Sequence, residues 1–287
     1  MTFAILTTLS LLCYLASAAC SGSVLLTPPT AAAGVSAVQS TSPVTRFGRP
    51  LLLLGIVIQF FAIGMWCIST HASPFASETG TLTVLAWMIA IAMAALDYRS
   101  RLPAVSAVAL LVSCLAICGG VLLAREPIAA NPALRSQIIN LHVFAIVAGF
   151  GLFAVAFGCA ALYLLQNRAL REKPAQGLFR KLPPLATLDT VAYRSVMIAL
   201  PLLTLGLVIG FEQAFTATSA PTAPTLVGWF SDPRIVLSLV VWCNYVAYLG
   251  ARLALGWRGV KLQYILLIGM VIALALYLVP PSTHRFS

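Results

Sequence analysis

The sequence predicts an all-α, polytopic membrane helical bundle with about eight transmembrane helices and both termini outside. Three observations lead there. First, 61% of the 287 residues are hydrophobic and only 8% are charged, against about a quarter charged in a soluble domain. So few charges cannot cover a surface that faces water. Second, apolar runs recur along the whole chain, most of them near the roughly 20 residues that cross about 30 Å of hydrocarbon. Third, that run length selects helices, because a membrane β-strand needs only about 10 residues of alternating polarity. Between the runs no stretch is long enough to build a soluble domain.

Eight spans follow in order: Thr2–Ala19, Leu51–Ser69, Leu82–Leu96, Ala104–Ala124, Leu141–Gln166, Val196–Phe215, Ile235–Leu255 and Leu262–Val279. The third is short and has room to extend at either end. The first span, with its boundary near residue 20, ends in Ala16-Ser17-Ala18, which looks like a signal-peptidase site. The residues from Met1 to Leu6 contain no Lys or Arg, so the basic region of a signal peptide is missing and a retained helix is expected. Residues 21–50 are rich in Ser, Thr, Ala and Pro and read as a flexible linker. Residues 51–287 then form one membrane domain.

Charge sets the orientation. With the N-terminus outside, the inner connections hold 13 of the 17 basic residues, all except Arg125, Arg135, Arg234 and Arg285. Such an asymmetry places the basic side in the cytoplasm. The longest inner connection, from Asn167 to Arg194, carries six basic and two acidic residues. It reads as a topology anchor on anionic lipid headgroups, with contact to a partner as the other option. The net charge of +10 has the same origin, and no nucleic-acid partner is expected, because no basic patch is interleaved with exposed aromatics. Of the seven cysteines, Cys114 and Cys118 share a helix face, but no Cys-x-x-Cys occurs. Neither a redox pair nor a zinc site is supported, and the thiols read as small apolar fillers.

This topology sorts the rare polar side chains. His71 follows the second span, His142 opens the fifth and His284 follows the eighth, so all three meet the outer boundary. The segment Gly228-Trp229-Phe230-Ser231-Asp232-Pro233-Arg234 lies there too. Neutral imidazole is a ready axial ligand for haem iron. An aromatic, apolar surface between two histidines suits a porphyrin, and Arg234 or Arg285 could pair with its propionates. The blander reading of each histidine is a solvated helix cap, and of Asp232-Pro233 an ordinary helix start.

Three stretches carry a family resemblance: Asn140-Leu141-His142-Val143; Ser231-Asp232-Pro233-Arg234-Ile235-Val236-Leu237-Ser238-Leu239 with Trp242, Tyr245 and Tyr248; and Gly256-Trp257-Arg258-Gly259-Val260-Lys261 with the last helix. The chain resembles the cytochrome c assembly family, which includes CcsA, CcmC and the shorter YpjD/HemX-like membrane proteins. The likeness runs from about Thr81 to the C-terminus in pattern, and over about Leu141–Pro280 in motif. In haem-handling members two outer histidines flank a tryptophan-rich segment and ligate haem. By position, the resemblance implies His142 and His284 as iron ligands, Trp229 packed on the porphyrin and Asp232 positioning the loop by capping the seventh helix. The family's Trp-Gly-x-x-Trp-x-Trp-Asp run is largely absent, with Ser231 before Asp232 where the family has tryptophan. That brings the chain nearer to the short members.

The expected function is a bacterial inner-membrane protein in c-type cytochrome biogenesis, handling haem at the periplasmic face. Membrane lipid and other cytochrome c maturation proteins are its expected partners, and it is more a handling protein than an enzyme. The alternative is a cofactor-free regulatory or scaffold membrane subunit. An ion-coupled carrier fits less well, since Asp97 and Glu212 lie near span ends and not at the midplane. Nothing has the spacing of a Ser-His-Asp hydrolase. The charge asymmetry makes one expectation directly testable. A reporter active only in the periplasm, fused after Ser287, is expected to be active. A stably made but inactive fusion would mean an odd number of retained crossings.

Overall fold

The structure, a computed structural model, describes residues 2–26, 45–100, 103–122, 137–172, 183–217 and 233–278. Among them there is no strand. Eight long helices follow one another: α1 (Thr2–Leu26), α2 (Thr45–Thr70), α3 (Glu78–Ser100), α4 (Pro103–Leu122), α5 (Gln137–Glu172), α6 (Leu185–Ala217), α7 (Pro233–Leu253) and α8 (Val260–Leu278), with a 3-10 turn at Pro74–Ala76. Helices α1 to α7 are long and apolar enough to cross a membrane, and α8 is apolar over Val260–Ala275. The chain is a multi-pass, all-helical membrane protein.

Five of the eight expected spans lie within one helix that overruns them; Ile235–Leu255 runs two residues past the end of α7, and the fourth and eighth spans end at Ala124 and Val279, outside the described residues. The short third span grows to 23 residues. The linker expected over residues 21–50 is helical at both ends, since α1 continues to Leu26 and α2 begins at Thr45. The long basic connection is likewise helical at both ends, because α5 runs to Glu172 and α6 starts at Leu185. At 36 residues, α5 is about 54 Å long at 1.5 Å per residue, well beyond the hydrocarbon thickness. Composition marks only the apolar part of a helix, whereas the backbone stays helical into the headgroup layer.

Close contacts show that neighbouring helices alternate in direction. Gly48 lies against Ser21 and Gly55 against Tyr14, while Gly149 meets Leu203 and Gly206 meets Ile146. Gly120 near the end of α4 lies against Thr79 and Leu82 at the start of α3. One end of the bundle therefore gathers the starts of α1, α3, α5 and α7. It holds His71, His142, Glu78 and Glu212. The opposite end holds every Arg or Lys whose side chain is described: Arg49, Arg168, Arg171, Arg194, Arg252, Arg258 and Lys261.

The main core joins α3 to α8 through Ile89, Phe153, Leu188, Leu203, Leu262 and Leu266. A second core, with Tyr14, Leu52, Ala86, Leu110 and Ile117, seats the α1–α2 hairpin on α3 and α4. Side chains such as Leu53, Phe60, Leu115, Ile198 and Val208 point outward, as the hydrocarbon-facing side of such a bundle requires. All seven cysteines are free, in keeping with their reading as fillers.

Since lipid is as apolar as leucine, polar contacts between helices carry much of the specificity of packing. Gln59 Nε2 donates to the Thr83 carbonyl at 2.9 Å and Trp87 Nε1 to the Ile56 carbonyl at 3.0 Å, fastening α2 to α3. Trp242 Nε1 donates to Thr204 Oγ1 at 2.9 Å, fastening α7 to α6. Tyr245 of α7 stacks on Phe153 of α5 at 3.6 Å between ring centroids. Three helices meet at Asp189. Arg252 donates to it through Nη1 at 3.0 Å and Nη2 at 2.7 Å, and Gln263 Nε2 donates at 2.8 Å. The Arg252 guanidinium also lies 4.3 Å from the centre of the Tyr193 ring, a cation–π geometry.

Both charges of this pair are largely enclosed, with side chains 12% and 14% exposed. Removing one partner of such a pair strands the other charge at a cost of about 3–5 kcal/mol, whereas replacing both with apolar residues is often nearly neutral. Arg252→Leu alone is therefore expected to lower the thermal unfolding midpoint of the detergent-solubilised protein more than Asp189→Leu/Arg252→Leu does. A single variant that melts with the wild type would refute this role.

Candidate functional site

The sequence places an imidazole at the start of α5, and the structure shows what surrounds it. Helix α6 carries Gly206-Leu207-Val208-Ile209-Gly210, two glycines one turn apart on one face, a spacing that lets membrane helices approach closely. His142 fills that notch. A methyl group built on Gly210 would stand 2.5 Å from His142 Cε1 and 3.0 Å from Nδ1, and one on Gly206 would stand 2.6 Å from Ile146 Cγ1. Only glycine leaves room for the ring at this crossing.

The ring is also oriented. His142 Nδ1 lies 2.6 Å from the Gly206 carbonyl oxygen. A carbonyl can only accept, so Nδ1 carries the hydrogen and donates it. In the neutral ring the lone pair then belongs to Nε2. Half-buried between α5 and α6, the imidazole is not the solvated helix cap of the blander reading. Two residues earlier, Asn140 Oδ1 is buried with no hydrogen-bond partner among the described residues. Leu141 and Phe144 are exposed on the same turns of α5.

Of the four expected site residues, His142 is the one described. Trp229, Asp232 and His284 lie outside the described residues, as does most of the connection that contains Trp229. Asp232 immediately precedes α7, and α8 ends at Leu278 at the His142 end. His71 stands at that end too, exposed, with φ 51°. It precedes a turn in which Phe75 N–H donates to Ser73 Oγ at 3.3 Å and Gly80 N–H donates to Ser77 Oγ at 2.9 Å.

Sequence reasoning overlooked Gly206 and Gly210, although the glycine spacing was a legible signal. It overlooked the Asp189 junction because residues 185–194 looked like part of a charged loop. Trp242, Tyr245 and Tyr248 were noted only for their resemblance. In the structure they form the inward side of α7, with Tyr245 and Tyr248 fully buried, and Trp242 bonds α6 two residues before Gly206.

The glycine notch makes a sharp prediction. Alanine normally stabilises a helix by up to about 1 kcal/mol over glycine, and Gly64 has nothing within 4 Å of an added methyl group. Gly64→Ala should leave the melting temperature unchanged or raise it. Gly210→Ala must push His142 aside, and overpacking of this kind costs about 1–3 kcal/mol, so its melting temperature should fall. Equal effects of the two substitutions in thermal unfolding would show that the ring does not occupy the notch.

Comparison with known proteins bears directly on this site. The family model "Cytochrome C assembly protein" matches residues 76–283, which takes in α3 to α8 and leaves out the α1–α2 hairpin. Among similar curated proteins are two named "Cytochrome c biogenesis protein CcsA" from Prochlorococcus marinus. That of strain MIT 9301 is 24% identical over 250 residues, covering 79% of this chain and 78% of the relative. That of strain NATL2A is 28% identical over 244 residues, covering 74% of each. A protein of the same name from Guillardia theta is 23% identical over 245 residues, covering 79% of each chain. With its helical bundle matched over the whole of α3 to α8, the chain belongs to the cytochrome c assembly family.

Proposed function

We propose that this protein acts in c-type cytochrome biogenesis by holding haem at the His142 end of the bundle, and that this end faces the periplasm from a bacterial inner membrane. His142 and His284 are the residues that would hold the haem iron. The observation that carries the reading is the hydrogen bond from His142 Nδ1 to the Gly206 carbonyl. Histidines that bind metals characteristically donate their second nitrogen to a carbonyl or carboxylate, which fixes the tautomer and raises the basicity of the ligating atom. Here the notch formed by Gly206 and Gly210 holds the ring in place and leaves Nε2 as the basic nitrogen. The one described donor of the proposed pair, a neutral imidazole, therefore fits haem iron.

Haem, when bound, would supply an iron that takes imidazole nitrogen as a ligand. The rest is the work of this chain. His142 is held in one orientation by the Gly206 carbonyl, so little rotamer entropy would be lost on binding. Leu141 and Phe144 offer apolar surface at the same level. In this reading Trp229 would pack against the porphyrin and Asp232 would cap α7 and hold its loop. The names carried by the relatives, all cytochrome c biogenesis protein CcsA, support the process. The gathering of described cations at the opposite end supports the orientation. In this setting the protein works with other cytochrome c maturation proteins and with membrane lipid.

The test is spectroscopic. Wild-type protein purified in detergent from haem-replete cells is expected to show a Soret band. His142→Ala and His284→Ala should each shift or weaken it, and the double variant should lose it. A double variant with the same haem content and spectrum as the wild type would refute the ligand assignment. A wild type that carries no haem and takes up none on titration would favour a cofactor-free scaffold.

A further inference from the structure

We propose that the turn joining α7 to α8 is a binding site for the phosphate of an anionic phospholipid, held by Arg258 and Lys261 beside Trp257. The position comes first. The apolar span of α7 closes at Leu253 and that of α8 opens at Val260, so residues 254–259 stand where hydrocarbon gives way to headgroups. The turn is built to a definite shape. Gly256 has φ 63° and Gly259 φ 83°, left-handed conformations that glycine adopts without strain. The Trp257 N–H donates to the Ala251 carbonyl at 3.0 Å, and the Leu262 N–H donates to the Gly259 carbonyl at 3.1 Å.

The side chains on this frame are of two kinds. Leu253, Leu255 and Trp257 are 63%, 64% and 42% exposed. Arg258 and Lys261 are exposed as well, and Lys261 Nζ lies 5.5 Å from the centre of the Trp257 ring. Among the described side chains no carboxylate pairs with either cation. The one acid described at this end, Asp189, is engaged by Arg252 and Gln263. Two cations with no counter-anion among the described residues therefore sit among three exposed apolar groups. A soluble anion would satisfy the cations and leave the apolar groups in water, and a neutral lipid would do the reverse. An amphiphile with an anionic phosphate satisfies both. The turn is also flanked by Arg252 and Gln263 of the three-helix junction, so an occupied site braces the joint between α6, α7 and α8.

The experiment uses the full chain, delipidated in detergent and titrated with phosphatidylglycerol or with phosphatidylcholine of the same acyl chains. Thermal unfolding and retained lipid are the readouts. Phosphatidylglycerol is expected to raise the unfolding midpoint and to be retained, with phosphatidylcholine much weaker. Arg258→Gln/Lys261→Gln, checked for wild-type helicity by circular dichroism, should lose roughly thirtyfold in affinity for phosphatidylglycerol, the effect of two basic groups at a headgroup surface. Arg49→Gln/Arg194→Gln removes the same charge from the same end and should retain nearly all of it. Four outcomes would overturn the proposal: an equal response to both lipids, an equal loss in the two charge variants, the same midpoint shift from inorganic phosphate alone, or displacement of the lipid by soluble polyglutamate.

Discussion

Hydrocarbon offers no hydrogen bonds, and the rest of this structure follows from that constraint. Each backbone amide and carbonyl in the layer must find its partner within the chain, which leaves helices as the economical solution. Once the helices exist, apolar side chains gain little by choosing one another over lipid. The relative placement of helices then falls to the few polar groups that lipid cannot satisfy. Here these are Gln59 and Trp87 between α2 and α3, Trp242 and Thr204 between α7 and α6, and the Asp189–Arg252–Gln263 junction. Each sits on an otherwise apolar helix, so each defines one rotation and one depth.

Close approach is the complement of these bonds. Where α5 crosses α6, Gly149, Gly206 and Gly210 take the place of larger side chains and bring the backbones together. The result at one crossing is a carbonyl exposed to a side chain of the neighbouring helix, which His142 occupies. Trp242 ties α6 to α7 two residues from that carbonyl. The ligand candidate at one end thus packs against α6, whose opposite end is tied to α7 and α8 at Asp189. Position at the histidine end and rigidity at the basic end belong to the same three or four helices.

Apolar run length is a local property, so the all-helical architecture, its eight long helices and the gathering of described basic residues at one end were legible from the chain alone. Leu-His at the opening of α5 and the Gly-Trp-Arg-Gly turn before α8 were legible in the same way, and they carried the family. Helix ends were not, because α5 and α6 continue beyond their apolar parts through residues whose composition resembles a loop. What only the tertiary structure decided was which helix faces meet. Two glycines on α6 have no meaning until α5 brings an imidazole against them, and Asp189 reads as a loop charge until Arg252 and Gln263 arrive from 63 and 74 residues away. Periodicity reports which residues tolerate lipid, but a hydrogen bond between helices depends on rotation and depth, and those are set only when the helices pack.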